Sequence, residues 1–179
     1  MSKRQSLKAL QERLSQRMSV ANEVSSAAAA WLGVGMAEAR YLIPLAQAGE
    51  IFSWVPAQRV PYTQPWYVGL VSLRGELYGV IDLQRLTCYP IGAQADTLDR
   101  ATTDAQLVSL HAAFGIPSVL WVDRLLGLHH PSMFQAIAPR PDQAPAFYAR
   151  RLIDRQGQTW QELDLQALVS DPAFLSIAI

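Results

Sequence analysis

The chain has 179 residues, 15 basic and 15 acidic side chains, one cysteine and a hydrophobic fraction of 50%. That length suffices for one domain, or for two small halves sharing an interface, with roughly 70% of the unfolded surface buried. The apolar content excludes a disordered tail, zero net charge argues against the cationic footprint of a nucleic-acid binder, and the lone Cys88 excludes a disulfide framework or a cysteine zinc cage.

In chain order, residues 4–24 read as a helix. Leu7, Leu10, Leu14, Met18 and Ala21 recur every three or four positions and form one apolar stripe. Lys3, Arg4, Lys8, Arg13 and Arg17 against Glu12 make its first part cationic. Such a helix packs on its own domain or serves as an arm for a partner, and Asn22 to Ser26 is its stop and linker. The longest uncharged, mostly apolar stretch, Ala27 to Ala37, is about half of what a membrane helix needs, and residues 10–14 form no signal-peptide core. The expectation is a soluble, cytoplasmic protein without direct membrane insertion.

From Ala30 the pattern changes to strands. Residues 31–36 and 41–45 flank a polar turn and predict a hairpin, with Pro44 at a sheet edge or bulge because it has no ladder donor. Pro56, Pro61 and Pro65 punctuate an extended connection. Residues 68–73 and 76–82 flank Arg74-Gly75, the spacing of a tight hairpin. Asp82 then caps a short helical turn over residues 83–86. Residues 90–105 read as a loop and a boundary. Strands follow at 106–111 and at 118–123, the latter almost wholly apolar and so buried on both faces, with residues 125–128 as its extension. After a Pro-rich connection, residues 147–153 and 159–163 flank a second glycine turn at Gln156-Gly157, and residues 164–168 close the unit.

The chain repeats itself. A shift of 82 residues lays Gly75 on Gly157, Tyr78 on Trp160, Asp82 on Asp164, Gln84 on Gln166 and Leu86 on Leu168. Short strands, glycine turns and a duplicated pattern imply two similar β-units packed together.

Catalytic signatures are missing. There is no phosphate loop, dinucleotide fingerprint or nucleophile elbow. His111, His129 and His130 lack ligand spacing for a metal. Glu162 and Asp164 lack an opposing carboxylate across a cleft and read as a strand end and a helix cap. Cys88 has no companion histidine motif. Of the five tryptophans, Trp31 and Trp121 read as core, and Trp54 and Trp66 as interface aromatics or packing lids beside the proline connection.

The run from Tyr41 to Leu86 resembles the CheW family of chemotaxis coupling proteins. Gly69-Leu-Val-Ser-Leu-Arg-Gly followed by Val80-Ile-Asp-Leu carries most of the likeness, and residues 107–110, 120–125 and 163–168 match in position and character. The resemblance spans residues 30–169. It implies a mainly β fold of two similar five-stranded, SH3-like β-barrel subdomains, here with an N-terminal α-helix. The resulting domain expectation is a helix and linker over residues 1–26 and a two-barrel body over 27–179, with its internal boundary near 90–105. The resemblance further implies a non-enzymatic adaptor, without cofactor or metal, joining the cytoplasmic tips of chemoreceptors to a CheA-type histidine kinase at receptor arrays on the inner membrane. The N-terminal extension and divergent second half resemble PilI-type adaptors of type IV pilus (twitching) systems. Implied partner-binding residues are Glu50, Ile51, Gly69, Arg74 and Gly75, and implied structural residues are Asp82, Gly157 and Asp164. Ala48 departs from the branched apolar residue usual at that contact surface. Two other function classes remain on the residues alone: a nucleic-acid-binding β-barrel, and a small hydrolase built on Asp123, Asp164 or the histidine pair.

Overall fold

The computed structural model describes residues 30–88, 103–142 and 144–179. The expected helix over 4–24 and most of the expected boundary segment lie outside the described residues. Eleven strands and three short α-helices follow in order: β1 Trp31–Met36, β2 Ala39–Pro44, β3 Ala48–Ser53, β4 Tyr67–Leu73, β5 Glu76–Asp82, α1 Leu83–Cys88, β6 Gln106–Leu110, β7 Ser118–Val122, β8 Arg124–His129, β9 Phe134–Ala138, β10 Tyr148–Asp154, β11 Thr159–Leu163, α2 Leu165–Val169 and α3 Pro172–Leu175.

They form two sheets in place of two hydrogen-bonded five-stranded barrels. One has six strands in the order β8-β1-β2-β11-β10-β9, the other five in the order β3-β6-β7-β5-β4. The five-stranded sheet comes from the stretch β3 to β7. The six-stranded sheet takes the first hairpin and the last four strands, so it is assembled from both ends of the described chain. The internal repeat maps onto equivalent places. In each sheet the second strand of an antiparallel pair (β1–β2 or β6–β7) runs parallel to the second strand of a glycine-turn hairpin (β10–β11 or β4–β5).

Both sheets bury both faces. Alternate residues of β7 divide between two cores: Leu120 and Val122 enter a shared core, Val119 and Trp121 the five-stranded sheet's own. In β1, Leu32, Val34 and Met36 enter the shared core and Trp31 the six-stranded sheet's own. The shared core is the largest, with nineteen buried residues from both sheets, the three short helices and the connections at Trp66 and Phe147. Most of the buried apolar side chains among the described residues therefore lie between the two units rather than inside them.

Gln47, Asp164 and Asp123 tie the layers, and Glu162 braces the six-stranded sheet. Gln47, in the crossing from β2 to β3, accepts from Leu165 N at 2.7 Å and donates to the Asp164 carboxylate at 3.3 Å, while its carbonyl accepts from His111 N at 3.0 Å. Asp164 also caps α2 by accepting from Gln166 N and Ala167 N. Asp123, where the chain passes from one sheet to the other, accepts from Ala37 N at 2.7 Å and fixes the β1–β2 turn. The buried Glu162 carboxylate accepts from the Trp31 indole at 2.8 Å and from Arg150 Nε at 2.7 Å and Nη2 at 3.2 Å. These bonds and its charge raise the pKa of Arg150 further above its ordinary value.

Several expectations change. Pro44 ends β2, an interior strand, and not an edge: β11 pairs with β2 only at Tyr41 and Leu42, so no ladder donor is wanted at Pro44. Residues 125–128 do not extend β7, because the chain turns at Asp123 and β8 joins the other sheet. β3 and β9 were hidden inside stretches read as connections, since neither alternates in burial. The second glycine turn is a three-residue loop, 155–157, inside the Asp154 N to Gln158 O hydrogen bond of 3.0 Å. Gly157 sits there at φ +79°, with nothing within 4 Å of the place a Cβ would take.

Glu162→Gln leaves Arg150 without its anion and is expected to cost about 1–3 kcal/mol in urea unfolding, as for charged hydrogen bonds. Asp164→Ala is expected to cost about 1 kcal/mol through the lost cap. Unchanged unfolding midpoints would contradict both assignments.

Candidate functional site

β3 and β4 are the outer strands of the five-stranded sheet, and the chain has to bring these open edges together without a ladder between them. It does so at one backbone bridge and one side-chain cluster. Gln58, just beyond β3, bridges to Leu70 of β4 by two hydrogen bonds of 2.7 and 2.8 Å. Gly69 makes this approach possible. It is buried at φ +146°, and a Cβ there would fall on the Gln58 carbonyl oxygen, 2.7 Å from its carbon and 3.1 Å from Arg59 Cα.

The side-chain cluster lies at the β4–β5 turn. Arg74 and Gly75 take φ values of +50° and +87°, both left-handed as a type I′ hairpin turn requires. Nothing lies within 4 Å of the Cβ position of Gly75, so its requirement is the turn alone. Arg74 bears a Cβ in a region that costs non-glycine residues of order 1 kcal/mol. Its guanidinium pairs with Glu50 of β3 at 2.5 Å and lies 5.6 Å from the Phe52 ring centre. Phe52 meets Tyr78 of β5 at 6.2 Å, and the Tyr78 hydroxyl donates to Glu76 at 2.8 Å. That hydrogen bond, then burial and the charges of Glu76 and Glu50, raise the phenol above its ordinary 10.0, against the opposing pull of Arg74.

The Arg74 and Glu50 side chains are 73% and 57% exposed, so their pair adds at most about 1 kcal/mol to the fold. A strained, exposed arginine over an aromatic ring does little for stability. It presents a planar charge to solvent, paired with Glu50 on the strand that also carries Ile51, 42% exposed, and this suits recognition of a protein surface, where arginine and aromatics concentrate binding energy.

The structure brings Glu50, Ile51, Arg74 and Gly75 to this one end. It sets Gly69 apart, inside the β3–β4 closure. Asp82 is fully buried at the start of α1, accepting from Arg85 N at 3.2 Å with Arg85 Nε 3.6 Å away. Sequence reasoning missed Phe52, Glu76 and Tyr78. The alternation of Glu50 and Phe52 along β3 was the available signal, and it needed β3 to be recognised first.

The hydrolase candidates are each engaged separately. Asp123 and Asp164 hold backbone N–H groups. His129 is buried against Trp160, with ring centres 4.2 Å apart. His111 and His130 cap short 3-10 turns. Among the described residues no three His, Cys, Asp or Glu side chains cluster as metal ligands. Trp54 stacks on Trp121 at 4.2 Å and Trp66 on Phe174 at 5.7 Å, so both serve as packing lids.

Residues 30–173 match the family model described as a CheW-like domain. Among solved structures the fold is similar to that of the scaffolding protein TtCheW from Thermoanaerobacter tengcongensis, with a TM-score of 0.60 and 18% identity, over 76% of this chain and 89% of that one. No curated protein matches the sequence.

Gly69→Ala is expected to destabilise by about 1–3 kcal/mol, as overpacking against rigid backbone does, whereas Gly75→Ala carries only the positive-φ penalty of about 1 kcal/mol. Equal losses in thermal unfolding would refute the distinction. The Tyr78 phenol is expected to titrate above 10.0 in NMR-monitored titration, and Glu76→Gln to move it back towards that value. Its folded value is raised, so any stability tied to it is present below pH 10 and falls as pH rises through the folded value.

Proposed function

The chain belongs to the CheW-like domain family, whose members are non-enzymatic scaffolds in chemotaxis signalling, and from that premise we propose that it couples chemoreceptor tips to a CheA-type histidine kinase. The observation that supports this reading is the exposed Arg74–Glu50 pair over Phe52. A residue held at a conformational cost, in a pair that adds little to the fold, is best accounted for by what it contacts outside the fold. In this reading Glu50, Ile51 and Arg74 touch the partner, Gly75 shapes the turn that presents Arg74, and Gly69 sets the spacing between β3 and β4.

We further propose that residues 1–26 form an arm appended to a body over 27–179, and that the protein serves a PilI-type, pilus-based system at receptor arrays in the cytoplasm. The 29 residues ahead of the family-matched segment and the looser match of the second half favour this subgroup. Among the described residues no helix is long and apolar enough to cross a membrane.

Each such contact is individually weak, so binding is best measured with clustered receptor fragments, where linked sites raise avidity. Arg74→Glu is expected to weaken capture of the kinase by at least about tenfold, because it sets a carboxylate against Glu50 and the partner. Arg74→Gly is expected to lose binding while keeping the unfolding midpoint, since glycine relieves the turn. Full binding by Arg74→Glu, or no binding by the wild-type chain to kinase and receptor together, would overturn the assignment.

A further inference from the structure

The six-stranded unit carries a pocket of about 340 Å³, at the small end of the range for ligand sites. It lies between the short turn Pro131–Met133, which follows β8, and the loop that joins β10 to β11. His129, Met133, Arg155, Gln156, Gln158 and Trp160 wall it. His129 and Trp160 are 6% and 5% exposed, with ring centres 4.2 Å apart, and supply its buried side.

The frame of the pocket is held by its own hydrogen bonds. Asp154 Oδ1 accepts from Gln156 N and Gln158 N, both at 2.9 Å, and Oδ2 accepts from the Trp160 indole at 2.9 Å. Burial alone would raise the Asp154 pKa, but these bonds and the charge of Arg40 hold it below its ordinary value. Arg40 itself lies 5.9 Å from the Trp160 ring centre. On the other rim His130 Nδ1 accepts from Ser132 N at 3.2 Å. Arg155 Nη2 donates to Ser132 O at 3.0 Å and ties the two rims together.

Three kinds of polar group in the wall are left over. His129 Nδ1 lies 3.3 Å from Gly127 O. A carbonyl only accepts, so Nδ1 carries the hydrogen and Nε2 of the neutral ring is an acceptor. Among the described residues Nε2 has no partner, nor do the remaining Arg155 N–H groups or the side-chain amides of Gln156 and Gln158. Gly33 packs on the Nδ1–Cε1 edge of the imidazole, where a Cβ would fall 2.5 Å from Cε1. The opposite edge, with Nε2 and Cδ2, is therefore the one turned to the pocket. Arg40 answers the charge of Asp154, which leaves the charge of Arg155 facing the pocket.

We propose that this pocket binds a small carboxylic acid with a flat apolar body and one hydroxyl or N–H donor. The carboxylate pairs with the Arg155 guanidinium, whose fork matches it. The body lies on Trp160 beside Met133, and the donor reaches His129 Nε2. A buried acceptor without a partner is costly, and the ligand's donor removes that cost. The site is independent of the coupling reading, because the chain alone carries it.

NMR titration of the full chain tests this, with benzoate, its meta and para hydroxy derivatives and their neutral amides as probes. The signals are the His129 ring nitrogens and the Trp160 indole N–H. A hydroxybenzoate is expected to shift both saturably, in the millimolar range or tighter, as about ten non-hydrogen atoms allow. It is expected to bind more tightly than benzoate, which has no donor. Arg155→Gln is expected to weaken it at least about tenfold without moving the unfolding midpoint, since Arg155 is exposed. His129→Phe is expected to erase the advantage over benzoate, and Arg155→Gln decides should that variant fail to fold. The proposal is overturned if no acid gives a saturable shift up to about 10 mM, if the amides bind as well as the acids, or if Arg155→Gln binds unchanged. Shifts that appear only with kinase or receptor fragments also overturn it, since the pocket would then take a partner's side chain.

Discussion

Everything in this molecule hangs on the core between the two sheets. Each sheet is too small to enclose its own apolar side chains, and each turns a second face to the other. The nineteen residues of the shared core come from segments far apart in sequence, with Leu32 and Ile43 from the start, Val108 and Leu120 from the middle, and Leu163, Leu168 and Phe174 from the end. Neither unit can keep its face buried without the other. The two therefore behave as one folding unit, in which Gln47, Asp123 and Asp164 satisfy backbone groups where the chain crosses between layers.

That constraint also shapes the candidate site. Because one face of the five-stranded sheet is committed to the shared core, the other curls around Trp121, Trp54 and the valines of β4 and β5. Curling brings β3 and β4 near each other without a ladder. A glycine at 69, packed against the Gln58 backbone, sets that distance, and Arg74 spans the remaining gap to Glu50. The exposed cluster is thus a product of closure: it stands where the two outer strands of the sheet meet without a ladder.

Much of this was legible along the chain. The hairpin at Arg74-Gly75, the caps at Asp82 and Asp164 and the doubly buried β7 each rest on neighbours within a few residues, and the duplicated pattern is a repeat of such local signals. A positive φ, a carboxylate ahead of free N–H groups and an uninterrupted apolar run carry their cause with them, and such features survive whatever the chain folds against. The resemblance at residues 69–83 named the family for the same reason, since that run is one continuous hairpin and cap.

What the sequence alone determined is the list of local elements, the need for two-faced burial and the positions where only glycine or a capping carboxylate serves. Tertiary structure decided which strands share a sheet. β8 left β7 for β1, and β3 and β9 emerged from stretches without alternation, because an edge strand with one solvated side owes its existence to the neighbour it pairs with. It also decided that Glu50, Phe52, Arg74 and Tyr78 meet. No spacing encodes that contact: it exists only because a curved sheet returns its last strand to its first.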